Sequence, residues 1–185
     1  MKRIKKQQEA GFTLLEMVVV IVLVAVLATI AAPSFLAMLN RQRLADAQAE
    51  AMSAIREAQA KARQQKVPWQ ACFKDENNQV RWFVSPVRDT ADNCNTQGAW
   101  NNLIETDSKV VQIDTASSNL DNGFYRVAFL SNGWVDPRLA PADSNADVRK
   151  ITLKLRNQND GSRRCVYVAT LLGAVRTGKD NDCNQ

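Results

Sequence analysis

The chain has 185 residues, is 45% hydrophobic and carries a formal charge of +5 at neutral pH, with an isoelectric point near 9.2. It contains no histidine, which removes the commonest general base and metal ligand and excludes Ser-His-Asp and Cys-His catalytic sites. Its 7 glycines are all isolated from one another, so no phosphate-cradling glycine-rich loop exists, and composition points away from an enzyme and from any cofactor.

Lys2, Arg3, Lys5 and Lys6 precede Gly11, and an apolar stretch runs from Phe12 to Ala32. About twenty apolar residues cross a bilayer as one helix. A secretory signal peptide has a shorter apolar centre and a small-residue cleavage site after it; here the helical pattern continues unbroken past Arg41. A plain single-span anchor remains open, its basic flank holding the N-terminus in the cytoplasm. Glu16 is the one carboxylate inside the run. At membrane depth an isolated acid costs roughly 2.5–3.5 kcal/mol, whereas the helix dipole returns about 0.3–1 kcal/mol in the first turn. Helix geometry alone therefore does not account for it.

Gly11-Phe12-Thr13-Leu14-Leu15-Glu16 resembles the prepilin peptidase signature of type IV pilins and type II secretion pseudopilins. The resemblance implies cleavage between Gly11 and Phe12, methylation of Phe12 on its new α-amino group, and an assembly role for Glu16 against the α-amino group of a neighbouring subunit. It implies as partners the prepilin peptidase, the inner membrane before assembly, and other pilins or pseudopilins through the N-terminal helix. The implied location is a single pass of the cytoplasmic membrane with the C-terminal domain outside the cytoplasm, then the fibre. The leader carries four basic residues and Glu9, so its removal takes most of the net positive charge with it.

After Pro33, which is expected to kink the helix, Leu36, Leu39, Leu44, Ala47, Ala51, Ala54, Ala58 and Ala62 recur in steps of mostly three and four, the spacing of one helical face. The alanines leave room for close packing on that face. Val67-Pro68 ends the helix, since a residue before proline avoids helical dihedrals. At 1.5 Å per residue, Phe12 to Lys66 would be a helix of roughly 80 Å. The expected organisation is a leader over 1–11, a membrane helix over 12–33, an amphipathic helix over 34–67 and a β-rich globular domain over 68–185. The fold class expected is α+β, pilin-like: a long helix packed on an antiparallel sheet.

Beyond Pro68 the period changes to two. Strands are expected over 80–84, 110–113, 124–130 (ending at the Asn132-Gly133 turn signal), 149–155, 164–170 and 174–176, with loops over 85–109 and 136–148. Asp160-Gly161 marks a hairpin. Asp89 to Asp92 and Asp143 to Asp147 offer oxygen ligands, but their spacing is not that of an EF-hand, and such clusters are ordinarily turns; no metal is expected. The four cysteines, Cys72, Cys94, Cys165 and Cys183, all follow the membrane segment, on the side where disulfides persist. Local closure costs least entropy and favours Cys72 with Cys94 and Cys165 with Cys183.

The order Phe129 to Gly133, Ile151 to Leu155, Cys165 to Val168 and Leu172 to Gly178 resembles the GspH/FimT group of minor pilins and pseudopilins. Two functions follow from that resemblance. One is structural, a minor pilin or pseudopilin near the tip of a type IV pilus or a type II secretion pseudopilus. The other is DNA uptake through basic C-terminal residues. Residues 147–185 hold eight basic and four acidic side chains. The group's closing motif keeps only Arg176, with Ala174 in place of its first arginine, while Arg163, Arg164 and Lys179 could add charge. Phosphate contacts need several such cations on one face. Trp69, Trp82, Trp100 and Trp134 could stack on bases, although tryptophans of a small sheet domain belong more often to its core.

Overall fold

A computed structural model describes residues 11–88, 94, 99–105, 109–119, 123–139, 149–156 and 161–184. The leader up to residue 10, both candidate calcium loops and Asp160 lie outside the described residues. The chain divides into two compact units, Met1–Leu39 and Asn40–Gln185.

The first unit is helical from Leu14, within α1 (Leu14–Gln65). Among the described residues its apolar side chains Leu14, Leu15, Ile21, Leu27 and Ile30 are all exposed, and the apolar window is 0% buried. A helix that is apolar all round belongs inside protein or lipid.

In the second unit the alanine stripe of α1 is buried as the spacing predicts. Leu44, Ala47, Ala51, Ala54, Ile55, Ala58 and Ala62 share one core with Phe73, Tyr125 and Phe129 on one side and Ile151, Leu153, Val166 and Val168 on the other. Leu36 is exposed, so the buried stripe starts later than the spacing suggested. The helix stops at Gln65 and Lys66 takes a left-handed conformation, φ 59°, the usual C-terminal device two residues before Pro68.

The antiparallel strands expected beside the helix form, among the described residues, two four-stranded sheets that line the core. One has the order β3-β2-β1-β5, the other β4-β6-β7-β8. Their strands are β1 (Trp69–Glu76), β2 (Gln79–Pro86), β3 (Asn101–Asn102), β4 (Val111–Ile113), β5 (Phe124–Phe129), β6 (Arg149–Leu155), β7 (Arg163–Val168) and β8 (Val175–Lys179). The sequence pattern misses β1 and β3. Strand β1 lies between β2 and β5 and Trp69 to Phe73 are all buried, so no apolar–polar alternation marks it. Its odd-numbered residues Ala71 and Phe73 face the helix core, while Cys72 joins Phe83 and Cys94 in a second cluster backed by Trp100 and Phe124. Asn77 and Asn78, both at positive φ, make the two-residue turn into β2, a hairpin connection asparagine tolerates well. Strand β3 and a short 3-10 turn at Pro137–Leu139 fall inside stretches expected to be loop.

Candidate functional site

Gly11, Phe12 and Thr13 precede the helix. Thr13 caps it: its hydroxyl accepts the Glu16 backbone N–H at 3.2 Å, and its carbonyl accepts from Met17 N–H at 3.3 Å. Thr13 and Glu16 thus hold the first and last positions of a Thr-x-x-Glu capping pattern, which places Glu16 in the first helical turn, exposed. A Cβ at Gly11 would meet nothing within 4 Å. Among the described residues, no contact requires glycine there.

The cysteines are bridged between nearest neighbours in sequence, Cys72 to Cys94 and Cys165 to Cys183. The first closes the aromatic cluster behind β1, where Phe83 and Trp100 meet edge-on with centroids 4.4 Å apart. The second ties β7 to the 3-10 turn Asp180–Asn184 after β8. Among the described residues, no group of three or more His, Cys, Asp or Glu side chains could hold a metal ion.

The C-terminal cations do not form one patch. Arg164 pairs with Lys179 across β7 and β8, whereas Arg176 lies opposite Tyr167. Neighbouring strand residues point to opposite faces, so Arg176, three places from Lys179, projects from the other side of the sheet. Three of the expected four do meet. Arg163, Arg164 and Lys179 line a recess of about 240 Å³ together with Arg41 and Leu44 of α1, Ser162 and Asp180. Arg163 is the first residue of β7, and its Nε also pairs with Asp114 at 3.2 Å. Of the tryptophans, Trp69 is buried and Trp134 is 50% exposed, while Trp82 and Trp100 pack partly buried against the two clusters.

Sequence reasoning did not single out the residues that organise this region. Gln48 is buried, at 7% exposure. Its amide donates to the carbonyls of Cys165 and Gly178, each at 2.8 Å, and its oxygen accepts from Arg164 Nη1 at 3.1 Å. Three turns along the same helical face, Gln59 donates to the carbonyls of Gly133 and Gly173, each at 2.9 Å. Both those glycines have φ near +83°, and a Cβ on Gly173 would collide with Gln59 Nε2 and stand 2.8 Å from the Gly133 carbonyl. The signal was present in the spacing: positions 48 and 59 fall on the alanine face, where a glutamine needs a partner. Asp114 is another such residue. Burial pushes its carboxyl up, but the hydrogen bond from Lys154 Nζ at 3.0 Å and the nearby Arg163 outweigh that and hold it below the ordinary carboxylate range.

Residues 6–32 match the family model of the prokaryotic N-terminal methylation motif. No curated protein matches the chain. Among solved structures, the type IV minor pilin FimU of Pseudomonas aeruginosa is similar in two crystal forms. The P21 form is 13% identical with a TM-score of 0.43, covering 75% of this chain and 90% of that one. The P65 form is 12% identical with a TM-score of 0.41, covering 73% and 92%.

Proposed function

We propose that this chain, which carries the prokaryotic N-terminal methylation motif ahead of an α+β domain, is a minor pilin or pseudopilin with a structural, non-enzymatic role. The prepilin peptidase cuts between Gly11 and Phe12, Phe12 is methylated, and the mature chain waits in the inner membrane before it joins other pilins near the tip of a fibre. The observation that carries this reading is the junction itself. Gly11 to Thr13 lie outside the helix, and a threonine-capped apolar helix with one acid in its first turn begins directly after them.

The chemistry follows from that placement. A protease reads extended backbone, which the capped helix leaves available up to Thr13. Cleavage creates an ammonium group at the N-terminal end of the helix, where the dipole already carries positive charge. Methylation keeps that charge. A carboxylate from an adjacent subunit relieves it, and Glu16 is the acid at the matching depth. Pairing also answers the cost of burying Glu16, because two opposite charges interact strongly where water is scarce. The apolar window of the helix is 0% buried among the described residues, which supports lipid first and neighbouring helices later as its surroundings.

DNA uptake is the weaker reading, since Arg176, the one residue the resemblance carries over, lies on the opposite strand face from Arg164 and Lys179. The deciding experiment is intact mass of the protein extracted from its native host. A chain beginning at methylated Phe12 is the expected result. A mature chain that still starts at Met1 or Lys2 would end the pilin reading.

A further inference from the structure

Within the Asn40–Gln185 unit, α1 has a recess on each flank, and the two recesses carry opposite charge. The one described above lies toward β7 and β8 and holds Arg41, Arg163, Arg164 and Lys179. The other, of about 460 Å³, lies toward β2 and β3. Its lining includes Asp46 and Glu50 of α1, Trp82, Asn101, Asn102 and Glu105, three carboxylates and no cation. Arg41 and Glu50 are separated by about two and a half helical turns, so they leave α1 on opposite sides. The recesses share one height along the helix, because Gln48, whose oxygen accepts from Arg164 Nη1 at 3.1 Å, falls between Asp46 and Glu50.

Neither set of charges is cancelled within the chain. Asp46, Glu50 and Glu105 form no ion pair among the described residues, and neither does Arg41. Arg164 is held by a neutral oxygen. Lys179 has a side chain 65% exposed and stands 3.6 Å from an exposed Asp180, a pairing that water weakens. These cations do not reach the acidic recess of their own chain, because the helix and its buried stripe stand between. Among the described residues the carboxylates form no group that could hold a metal ion. An open acidic recess with an indole in its wall instead suits long cationic side chains, which gain from the carboxylates and from the aromatic ring. Arg41 and Lys179, both exposed, are side chains of that kind.

We infer that the acidic recess of one copy takes Arg41 and Lys179 from the opposite flank of a second copy of this chain, the two folded units standing side by side in the same orientation. The shared height of the recesses brings them together in that orientation. A neighbour turned end over end would set acid against acid, which complementary interfaces avoid. The contact joins two different patches, so each added copy leaves one acidic and one basic flank free, and the association stays open-ended. This inference deepens the pilin reading given above and rests on it.

The test mixes isotope-labelled and unlabelled full chain in detergent micelles, joins carboxyl groups to amines with a zero-length carbodiimide reagent, and maps the joined peptides by mass. Mixed labelled–unlabelled products joining Lys179 to Asp46 or Glu105 are expected, in a ladder that runs beyond two copies and fades as salt is added. R41E alone and E50K alone each bring like charges together and should cut these products at least about tenfold, while Lys179, Asp46 and Glu105 remain to report. Labelled E50K mixed with unlabelled R41E should restore them, since the reversed charges then face each other, and restoration also shows that both variants have folded. R56E, at an exposed position of α1 outside both recesses, should leave the yield unchanged. Absence of mixed products at these residues, products that survive R41E and E50K, or a mixture that fails to restore them would overturn the inference. A ladder that stops at two copies would mark a closed pair and overturn it as well. Such a failure in a chain that matures at methylated Phe12 removes this contact alone, whereas a mature chain starting at Met1 or Lys2 removes the pilin reading.

Discussion

Replacing Gln48 by methionine tests how α1 is fastened to the second sheet. The two side chains have similar length and volume, so the apolar packing around position 48 should lose little, below about 1.5 kcal/mol for a volume-conserving change. The polar loss is larger. The carbonyls of Cys165 and Gly178 lose their side-chain donor, and Arg164 loses its acceptor. A buried group left without its partner costs about 1–3 kcal/mol; Arg164, half-buried at the recess, regains water and contributes less. The expected destabilisation is about 2–4 kcal/mol. For a unit of this size, Asn40–Gln185, each kcal/mol lowers the melting temperature by about 2–4 °C, so the midpoint should fall by roughly 5–15 °C. Thermal unfolding of the fragment from residue 40 onward, followed by circular dichroism, measures it. A midpoint within about 2 °C of wild type would refute the reasoning that the glutamine amide, rather than the alanine stripe alone, holds the helix to β7 and β8.

Three further outcomes are expected. Asp114 has its carboxyl held below the ordinary range by Lys154 and Arg163 despite burial, so the native state releases this proton more readily than the unfolded chain; the resulting stability is full above the unfolded value near 3.8 and is lost as pH falls through the lowered native value. The drop in urea midpoint between neutral pH and about pH 3 should therefore be smaller in D114N than in wild type; an identical drop would argue against the ion pairs. Removing the bridge between Cys165 and Cys183, 18 residues apart, by changing both to serine should cost about 3 kcal/mol in the chain-entropy picture, read as an earlier urea midpoint, and an unchanged midpoint would show the C-terminal turn to be held by packing alone. Glu16→Ala should still insert and be cleaved but should be missing from sheared fibres, and its normal incorporation would remove Glu16 from assembly.

The sequence alone determined those features that repeat locally. The apolar run with its single acid, the alanine stripe from Leu44 to Ala62, and strands such as β6, whose Ile151, Leu153 and Leu155 enter the core as expected, are legible because each depends on a period of two or 3.6 and on near neighbours. Tertiary structure decided what depends on residues far apart in the chain. Strand β1 is hidden in sequence because, as a central strand, it is buried on both faces and shows no alternation. The split into two sheets follows from which strands find each other, and no local pattern encodes that. Gln48 reads as one more polar helical residue until the fold brings carbonyls 117 and 130 residues away to its amide. The C-terminal cations count as one cluster along the chain, but strand geometry removes Arg176 from the group and helix packing adds Arg41. Charge in sequence measures how many ionic groups are present; only the fold determines which of them share a face.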